Sequence, residues 1–598
     1  MTVAPTNSRE SATRMWLRAL EMTASIAGKP KRVFPVVIEE LAEKFGEAPA
    51  LFSNRECVTY RTLAERSNRY SRWGLVQGVA KGDTVCLLMP NRPEFMAIWL
   101  GITRIGGVVS LLNTNLIGSS LAHCINIVEP KHVIVAAELA EAFATARSYL
   151  TVNTKIWSFG EGSYEFGRID YEIEGYSGET LTNRDCQPPS IEERALYIYT
   201  SGTTGLPKAA NINHHRVMVW SHWFAGMMDT RPSDRMYNCL PMYHSVGGVV
   251  AIGAVLVNGG SVVIREKFSA RQFWDDVVSS ECTLFQYIGE LCRYLLHAPR
   301  DPREVEHRIR LCCGNGLRPD VWTDFKTRFR IPQILEFYAA TEGNVSLFNA
   351  EGKPGSIGRI PLFLAHRFPA TVVKFDIEKE EPVRNGQGFC IRCAPNEVGE
   401  AIGKIGDDSS NLSSRFAGYT SKDDTQRKIL RDVFKRGDAW FRTGDLMRRD
   451  EHGYFYFVDR IGDTFRWKGE NVATSEVSEV MSACPGIIEA IVYGVAVPKR
   501  DGRAGMAAVV ADGEFNLVTL REHLVKCLPE YARPLFLRIR SELDVTATFK
   551  QKKGDLIREG FDPTATADAI YFNDPGRQEF VCIDKSIYDR ILTEQVPL

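Results

Sequence analysis

From about residue 60 onward, short apolar runs alternate with helical patterns along the sequence. Pro93 opens one helical stretch, as proline does at the first turn of many helices, and residues 138–150 form another. Repeated strand–helix units fold into sheets covered by helices and place ligands at the carboxyl ends of the strands. The predicted strands are residues 84–89, 108–112, 132–136, 155–159, 195–199, 236–240, 261–265, 283–288, 310–313 and 334–337.

The strand predicted at residues 195–199 ends in a polar, glycine-containing loop. Hydroxyl groups there can donate hydrogen bonds, the glycines allow backbone N–H groups to approach a ligand, and a lysine adds positive charge. We interpret the loop as a phosphate cradle rather than an ordinary surface loop, although it does not fit the Walker pattern. Its candidate residues are Thr200, Ser201, Gly202, Thr203, Thr204, Gly205 and Lys208.

The length of 598 residues is too great for one compact core, so we expect at least two domains. Acidic residues (74) and basic residues (73) balance, which gives no overall field for nucleic acid. Fourteen cysteines lack the spacing of a disulfide framework or zinc site, and Cys390 and Cys393 are interpreted as ordinary reduced thiols. This composition predicts a reducing, cytoplasmic compartment.

Residues 1–10 are polar and lack the apolar core of a signal peptide, and no apolar run is long enough to span a bilayer. Met15, Trp16 and Leu20 lie among basic residues that include Arg14 and Arg18. Such a segment can lie on the inner face of an anionic membrane as a peripheral contact. The favoured alternative is a helix packed on the surface of a domain.

Glycines, prolines and short strands dominate residues 343–440, which predicts a β-rich part. Residues 453–459 read as a further strand, and a new α+β pattern follows it. A domain boundary is therefore expected near residues 459–463.

The phosphate loop with its flanking Tyr-Ile-Tyr and Ala-Ala resembles the adenylate-forming superfamily, which contains acyl-CoA synthetases and luciferases. Further segments resemble its fatty acid transport protein and very-long-chain acyl-CoA synthetase branch. They are residues 111–116, 121–124, 466–472 and the regions around Tyr571 and Phe580. The resemblance implies an α/β fold with a large N-terminal domain (1–461) of helix-covered mixed sheets plus the β-rich part. It also implies a small, mobile α+β C-terminal domain (462–598) that turns about Gly462.

The resemblance also implies which residues bind ATP, Mg²⁺ and the acyl group. His244, expected at the end of a strand, would line the junction between acyl chain and phosphate, and Thr341 would touch the α-phosphate. Glu342, together with Thr200, would hold Mg²⁺, which prefers one or two carboxylates plus phosphate oxygens. The residues implied at adenine are Tyr338, which would stack on the base, and the backbone of Gly314, Asn315 and Gly316.

Two further groups of residues follow from the same resemblance. Asp445 would accept hydrogen bonds from the ribose hydroxyls, with Arg460 beside it. In the Thr-x-Thr-Phe-Lys form of the last motif, Lys550 would bridge the substrate carboxylate and the α-phosphate, although Lys552 and Lys553 are close. The residues implied at the coenzyme A channel are Arg466, Lys468 and Gly469.

Some long-chain synthetases of the superfamily place a gating tryptophan four residues after the histidine that matches His244. Gly248 stands at that position here, which predicts a wide or open tunnel mouth.

The function implied is an ATP-dependent long-chain or very-long-chain fatty acid:CoA ligase that uses ATP, Mg²⁺ and coenzyme A. Two alternatives stay open at this point. One is a fatty-acid uptake protein that acts by trapping the acid at a membrane, and the other is a CoA ligase for another bulky carboxylic acid.

Overall fold

The structure of the protein is a computed structural model that describes residues 11–162, 165–200, 206–406, 416–498, 500, 502–544 and 552–596. The chain divides into two compact units. The first unit comprises residues 1–358 together with a returning segment, residues 404–429. The second comprises residues 359–403 and 430–598.

The described residues of the first unit form thirteen α-helices. They are α1 (Ala12–Ala24), α2 (Phe34–Phe45), α3 (Tyr60–Val76), α4 (Pro93–Arg104), α5 (Gly118–Asn126), α6 (Ala140–Ala146), α7 (Ile169–Glu172), α8 (His214–Met228), α9 (Ala251–Leu256), α10 (Phe273–Ser279), α11 (Gly289–His297), α12 (Pro319–Arg328) and α13 (Lys422–Arg427).

The strands of the first unit alternate with these helices. They are β1 (Pro49–Phe52), β2 (Cys57–Thr59), β3 (Thr84–Leu88), β4 (Val108–Leu111), β5 (His132–Ala136), β6 (Lys155–Phe159), β7 (Gly167–Arg168), β8 (Arg194–Thr200), β9 (Lys208–Asn213), β10 (Arg235–Asn238), β11 (Ser261–Ile264), β12 (Leu284–Ile288), β13 (Leu311–Asn315), β14 (Gln333–Ala339) and β15 (Ser346–Asn349). A two-residue strand, β16 (Gly358–Arg359), marks the junction with the second unit.

Two mixed sheets carry the first unit. One has the strand order β7-β6-β5-β3-β4-β8-β9 and is parallel except for the β8–β9 hairpin. In the other, β14-β13-β12-β10-β11-β1 run parallel, while β15 and β2 pair antiparallel at the two ends. The central strands are buried, for example all five residues of β3 and of β5, as expected for parallel strands covered on both faces.

The N-terminal helix α1 packs on α8. Met15 and Trp16 are buried, and the Trp16 ring makes edge contacts with Trp223 (5.7 Å between centroids) and Phe348 (5.6 Å). This confirms the interpretation of α1 as a helix packed on the domain, because Met15 and Trp16, two of the apolar side chains proposed to reach a membrane, are buried in the protein. None of the helices formed by the described residues is both long enough and apolar enough to span a bilayer.

The second unit contains an antiparallel sheet in its first part. Its strand order is β18-β17-β19-β21-β22, with β20 paired to β21. The strands are β17 (Ala370–Asp376), β18 (Glu381–Pro382), β19 (Val398–Lys404), β20 (Ile429–Arg431), β21 (Ala439–Arg449) and β22 (Tyr454–Arg460). The β-rich part of the predicted fold is therefore present among the described residues, and its bounds at residues 343–440 stay a prediction.

The remainder of the second unit is an α+β arrangement with its own buried core. A small hairpin precedes a five-stranded sheet of order β25-β26-β27-β28-β29, in which only β26 and β27 run parallel. The strands are β23 (Phe465–Trp467), β24 (Glu470–Val472), β25 (Ile487–Val495), β26 (Ala504–Ala511), β27 (Phe536–Arg540), β28 (Ala569–Asp574) and β29 (Glu579–Cys582). The helices are α14 (Thr474–Ser482), α15 (Leu517–Cys527), α16 (Gly554–Glu559) and α17 (Lys585–Leu592).

The predicted fold class is confirmed: helix-covered mixed sheets are followed by a β-rich part and an α+β part. The two compact units cut the chain at other positions than the predicted domains, and the boundary between residues 461 and 462 stays a prediction. All fourteen cysteines, including Cys390 and Cys393, are free thiols.

Candidate active site

The predicted phosphate loop connects the two strands of a hairpin. Thr200, the last residue of β8, is the register partner of Lys208, the first residue of β9. The loop therefore begins at the carboxyl end of a parallel strand, where ligands bind in such sheets. Its central residues Ser201, Gly202, Thr203, Thr204 and Gly205 lie outside the described residues, and the phosphate cradle stays a prediction.

Lys208 is engaged by a residue of the returning segment. Its Nζ lies 2.7 Å from Oδ1 of Asp424, on α13, and 5.9 Å from the centroid of the Tyr419 ring. The hydrogen bond from Lys208 holds the pKa of the Asp424 carboxyl below its usual value. A phosphate group that bound Lys208 would thus compete with Asp424 for the ammonium group.

Glu342 accepts a hydrogen bond from Tyr419, whose hydroxyl lies 2.7 Å from its Oε1. The Thr200 hydroxyl also contacts Tyr419, and burial together with the Glu342 charge raises the pKa of the tyrosine. Thr200 and Glu342, the two predicted Mg²⁺ ligands, therefore converge on one hydroxyl group. The structure brings these two residues together across a large sequence separation.

Arg216, in the first turn of α8, grips the backbone on both sides of Glu342. Its Nη1 donates to the carbonyl of Thr341 (2.7 Å) and its Nη2 to the carbonyl of Gly343 (2.8 Å). Burial lowers the pKa of Arg216 to about 10, against the opposing influence of the Glu342 charge. The loop that carries Thr341 and Glu342 is thus held by a cation.

His244 was expected at the end of a strand, but β10 already ends at Asn238, and His244 directly precedes a π-helical turn, Ser245–Val250. Its ring packs 4.7 Å from the ring of Tyr243. The adjacent Ser245 Oγ lies 3.1 Å from Oγ1 of Thr341. The histidine motif and the Thr341–Glu342 motif are therefore neighbours, as a junction between acyl group and phosphate requires.

Gly248 is fixed by close packing in the π-helical turn. Its N–H donates to the His244 carbonyl (2.7 Å), and a Cβ on it would lie 1.9 Å from the Met242 carbonyl oxygen. A tryptophan cannot occupy this position without displacement of the backbone. The glycine is therefore explained by a close backbone approach, and the open tunnel mouth stays a prediction.

Gly314, Asn315 and Gly316 lie at the end of β13 and just beyond it. The backbone after them is held by buried Glu336: the Leu317 N–H donates to its Oε1 (3.1 Å), and the Gly316 N–H also bonds to this carboxyl. The Tyr287 hydroxyl donates a hydrogen bond to Oε2 of Glu336. Burial raises the pKa of Glu336 to about 8, which those hydrogen bonds oppose.

Tyr338 lies on the neighbouring strand β14, opposite Leu347 of β15. Since β13 and β14 are adjacent and parallel, Tyr338 and Gly314–Gly316 lie near the same edge of the sheet. This placement suits a site for a flat base, and the contact with adenine stays a prediction.

In the second unit, Asp445 and Arg460 are register partners on the adjacent strands β21 and β22. The Arg460 Nε lies 3.8 Å from Oδ1 of Asp445. Thr443 supports the turn before Asp445, because its Oγ1 donates to the Ala401 carbonyl (2.7 Å) and accepts from the Asp445 N–H (3.1 Å). The structure thus pairs these two residues, as their spacing suggested, while their contact with ribose stays a prediction.

Lys468 and Gly469 form the two-residue turn of the β23–β24 hairpin, with φ of 52° and 83°. Two positive φ values are typical of the type I′ hairpin turn. Lys468 Nζ pairs with Glu530 Oε1 (2.9 Å), and Arg466 pairs with Glu378. The three residues predicted at the coenzyme A channel therefore lie on one small hairpin.

Lys550 lies outside the described residues, but Lys553, one of its rivals for the catalytic role, is well placed. Its Nζ contacts Asp463 Oδ2 (3.1 Å) and Thr474 Oγ1 (3.0 Å). Both lie close to buried Asp459, which accepts from the Thr474 N–H (2.6 Å). In this arrangement Lys553 links the C-terminal segment to the turn after β22.

Three residues of the site were missed by the sequence analysis: Arg216, Tyr419 and Glu336. Each acts by holding another residue. Arg216 lies three positions after the strand that follows the phosphate loop, and Glu336 precedes Tyr338 by two positions, so proximity to a motif was the available signal. No such signal was available for Tyr419, because its position in the site depends on the pairing of its segment with β9.

The sequence profile of the AMP-binding enzyme family matches residues 38–392, and that of the AMP-binding enzyme C-terminal domain matches residues 476–550. The chain is 41% identical over 566 residues to long-chain fatty acid transport protein 1 of Mus musculus, which covers 93% of this chain and 87% of the relative. It is 42% identical over 550 residues to long-chain fatty acid transport protein 6 of Mus musculus, with 91% and 88% covered.

Solved structures share the fold. The anthranilate CoA ligase AuaEII in complex with anthranoyl-AMP matches with a TM-score of 0.75 at 20% identity, over 88% of this chain and 96% of that one. ATP-bound MatB from Rhodopseudomonas palustris matches with a TM-score of 0.72 at 24% identity, over 88% and 98%. The chain belongs to the AMP-binding enzyme family, in the branch of the long-chain fatty acid transport proteins.

Proposed function

We propose that the protein is an ATP-dependent ligase that joins long-chain or very-long-chain fatty acids to coenzyme A. The observation that carries this proposal is the convergence of Thr200, Tyr419 and Glu342 beside Lys208, in a chain 41% identical to a long-chain fatty acid transport protein. In the first half-reaction, the fatty acid carboxylate attacks the α-phosphorus of ATP, and an acyl adenylate and pyrophosphate form.

The proposed roles of residues in the first unit come from the family resemblance, and the contacts between its motifs support them. Thr341 binds the α-phosphate and His244 lies between it and the acyl chain, because Ser245 joins the two motifs. Lys208 and the loop after Thr200 bind the outer phosphates. Tyr338 and the backbone of Gly314–Gly316 bind adenine. In the second unit, Asp445 and Arg460 bind the ribose.

The residues at Glu342 suit a magnesium ion. Among the described residues, no group of three or more histidine, cysteine or acidic side chains is arranged to hold a metal ion, and we propose that phosphate oxygens of the substrate complete the ligand set at Glu342. Mg²⁺ commonly binds in this way, with one or two carboxylates and phosphate oxygens. We propose that Glu342 and Thr200 hold it. When bound, Mg²⁺ would neutralise charge on the phosphates.

In the second half-reaction, the thiol of coenzyme A displaces AMP from the acyl adenylate. We propose that Lys550 stabilises the first transition state and that a rotation at Gly462 then brings Arg466, Lys468 and Gly469 to coenzyme A. A soluble enzyme that draws its acid from the inner face of a membrane, by peripheral contact, is compatible with this function, and so is import by trapping of the thioester.

The experiment is an assay of AMP release with a panel of acids from medium-chain to very-long-chain fatty acids, and with bulky cyclic acids, in the presence of coenzyme A. We expect the highest kcat/KM for a long or very long chain. Glu342→Ala is expected to abolish nearly all activity and raise the Mg²⁺ requirement. A preference for a cyclic acid would contradict the proposed substrate, and unchanged Mg²⁺ dependence would contradict the role of Glu342.

A further inference from the structure

Glu342 is held from two directions by residues that have no place in the reaction itself. On one side, Arg216 donates to the carbonyls of Thr341 and Gly343, the residues that flank Glu342. On the other, Tyr419 donates directly to the Glu342 carboxylate. Backbone and side chain of the same residue are thus fixed independently.

The direction of the Arg216 side chain is set by the start of α8, the helix that contains it. Asn213 caps α8, and its side chain accepts from the Arg216 N–H (2.9 Å), so the arginine leaves the first turn in a defined direction. The guanidinium also lies 5.6 Å from the Trp220 ring centroid. A planar guanidinium can satisfy two carbonyls at once, whereas the ammonium group of lysine cannot reproduce that fork.

The grip of Tyr419 depends on strand pairing between distant segments. The Asn211 N–H donates to the Gly418 carbonyl (3.0 Å), and the Thr420 N–H donates to the Ala209 carbonyl (3.1 Å). The position of Tyr419 is therefore set by backbone pairing with β9, the strand that follows the phosphate loop. Any shift of that strand would move the hydroxyl that Glu342 and Thr200 share.

We infer that Arg216 and Tyr419 are positioning residues that set the Glu342 carboxylate in place for the metal–nucleotide complex. The inference rests on the proposed function, because it assigns these contacts to metal binding. A carboxylate that is already fixed before the metal binds loses less conformational freedom on binding. Removal of the contacts from Arg216 or Tyr419 should therefore weaken the affinity for the metal.

The test measures metal binding rather than turnover. Mn²⁺ replaces Mg²⁺, and its binding to the full-length protein with α,β-methylene-ATP is followed by electron paramagnetic resonance. Tyr419→Phe should weaken Mn²⁺ binding about tenfold, the range for a hydrogen bond to a charged group, while binding of the nucleotide without metal stays the same. Tyr60→Phe is the matched control, because the Tyr60 hydroxyl is buried and bonds only to the carbonyls of Leu256 and Gly260.

For Arg216, the comparison is between Arg216→Lys and Arg216→Met. Lysine keeps the charge and one hydrogen bond, so it should retain part of the Mn²⁺ affinity that methionine loses. Arg328→Lys is the matched control, since Arg328 also donates to two backbone carbonyls, those of Leu296 and Ala298. That control should lower the melting temperature and leave Mn²⁺ binding unchanged.

The outcomes separate this inference from the proposed function. Wild-type Mn²⁺ affinity in folded Tyr419→Phe and Arg216→Met overturns the positioning roles, and so does an equal loss in the Tyr60→Phe control. If the unmodified protein binds the metal–nucleotide complex and the variants weaken it, but no acid supports AMP release, then the proposed reaction fails and the positioning roles stand.

Discussion

At the scale of single residues, two of the three lysines near the C-terminal motif, Lys552 and Lys553, have described surroundings that bear on the choice of a catalytic lysine. Lys553 already contacts Asp463 and Thr474. The Lys552 backbone N–H donates to the Asp544 carbonyl (2.9 Å), and its side chain lies in a polar cavity that also contains Arg540 and Asp568. Because a residue that must bridge carboxylate and phosphate needs an ammonium group that is not already engaged, these contacts argue against Lys553, and the assignment of Lys550 rests on its position in the Thr-x-Thr-Phe-Lys motif.

Lys550→Ala should therefore separate the two half-reactions. A cation aimed at charge that develops in the transition state contributes a few kcal/mol, so acyl-adenylate formation should fall about 100-fold or more. Thioester formation from supplied acyl adenylate should survive. Pyrophosphate release and thioester synthesis are measured separately for this variant and for Lys552→Ala and Lys553→Ala. The same pattern in either of those two would show that the wrong lysine has been assigned.

Glu336 gives a prediction about pH. Its folded pKa, about 8, is above the ordinary value of 4.5, so the folded protein holds a proton that the unfolded chain releases. The associated stability is complete below pH 4.5 and is lost as the pH rises through 8. Wild type should thus lose stability relative to Glu336→Gln between about pH 5 and 8, by at most about 1.4 kcal/mol per pH unit.

The measurement is thermal unfolding of both proteins across that range. Glu304→Gln is the control: although burial opposes it, bonds from Arg328 and the Asp301 backbone hold the pKa of Glu304 below its usual value. Its difference from wild type should stay constant with pH. A constant difference for Glu336→Gln as well would mean that the buried carboxyl is ionised in the folded protein.

Sequence reasoning finds residues that do chemistry more readily than residues that hold them. Asp445 and Arg460 were paired correctly because two strands of a hairpin place their register within a short stretch of sequence. Tyr419 reaches Glu342 through the pairing of distant segments, and neither the composition nor the spacing around it indicates that contact. His244 was placed on a strand end because the run of apolar residues after Met236 continues beyond the point where β10 stops.

At the scale of elements, Gly462 is the residue on which the proposed domain movement depends. Its φ is 93°, and a Cβ there would meet no atom within 4 Å. The turn is closed by a hydrogen bond from the Asp463 N–H to the Arg460 carbonyl (3.1 Å). Substitution at this position therefore acts through backbone conformation alone.

Gly462→Pro cannot adopt this φ, since proline fixes φ near −65°. If Gly462 is a hinge, the variant should keep pyrophosphate release and lose thioester synthesis. Gly453→Pro is the matched control, because Gly453 also has a positive φ (83°) and open space around it, in the β21–β22 turn. Equal loss of both half-reactions in Gly462→Pro would indicate damage to folding and no hinge.

Parallel strands between helices were among the most predictable elements. The predicted strands at residues 132–136 and 155–159 have the bounds of β5, which is buried throughout, and of β6, which is buried at Trp157 and Ser158. The helix expected at residues 138–150 is shorter, α6, with a 3₁₀ turn at each end. The hairpin turn at Lys468 could not be predicted from the sequence, because lysine is not typical of positions with a positive φ.

At the scale of the whole chain, the first compact unit is discontinuous. Sequence alone indicated a β-rich part at residues 343–440 but not that residues 404–429 return to the first unit. The reason is physical: the described part of the returning segment contains one short helix, α13, and an extended stretch whose pairing with β9 is non-local. No periodicity within the segment records where it docks.

This discontinuity affects the order in which the protein can fold during synthesis. When residue 358 has been synthesised, the segments that form β1 to β15 have been made, yet Tyr419 and Asp424 have not. At typical translation rates the ribosome needs about 4 to 14 seconds more to reach residue 429. Until then Glu342 and Lys208 lack their contacts with Tyr419 and Asp424, so the Glu342 carboxylate is fixed only after the ribosome has already built the first strands of the second unit.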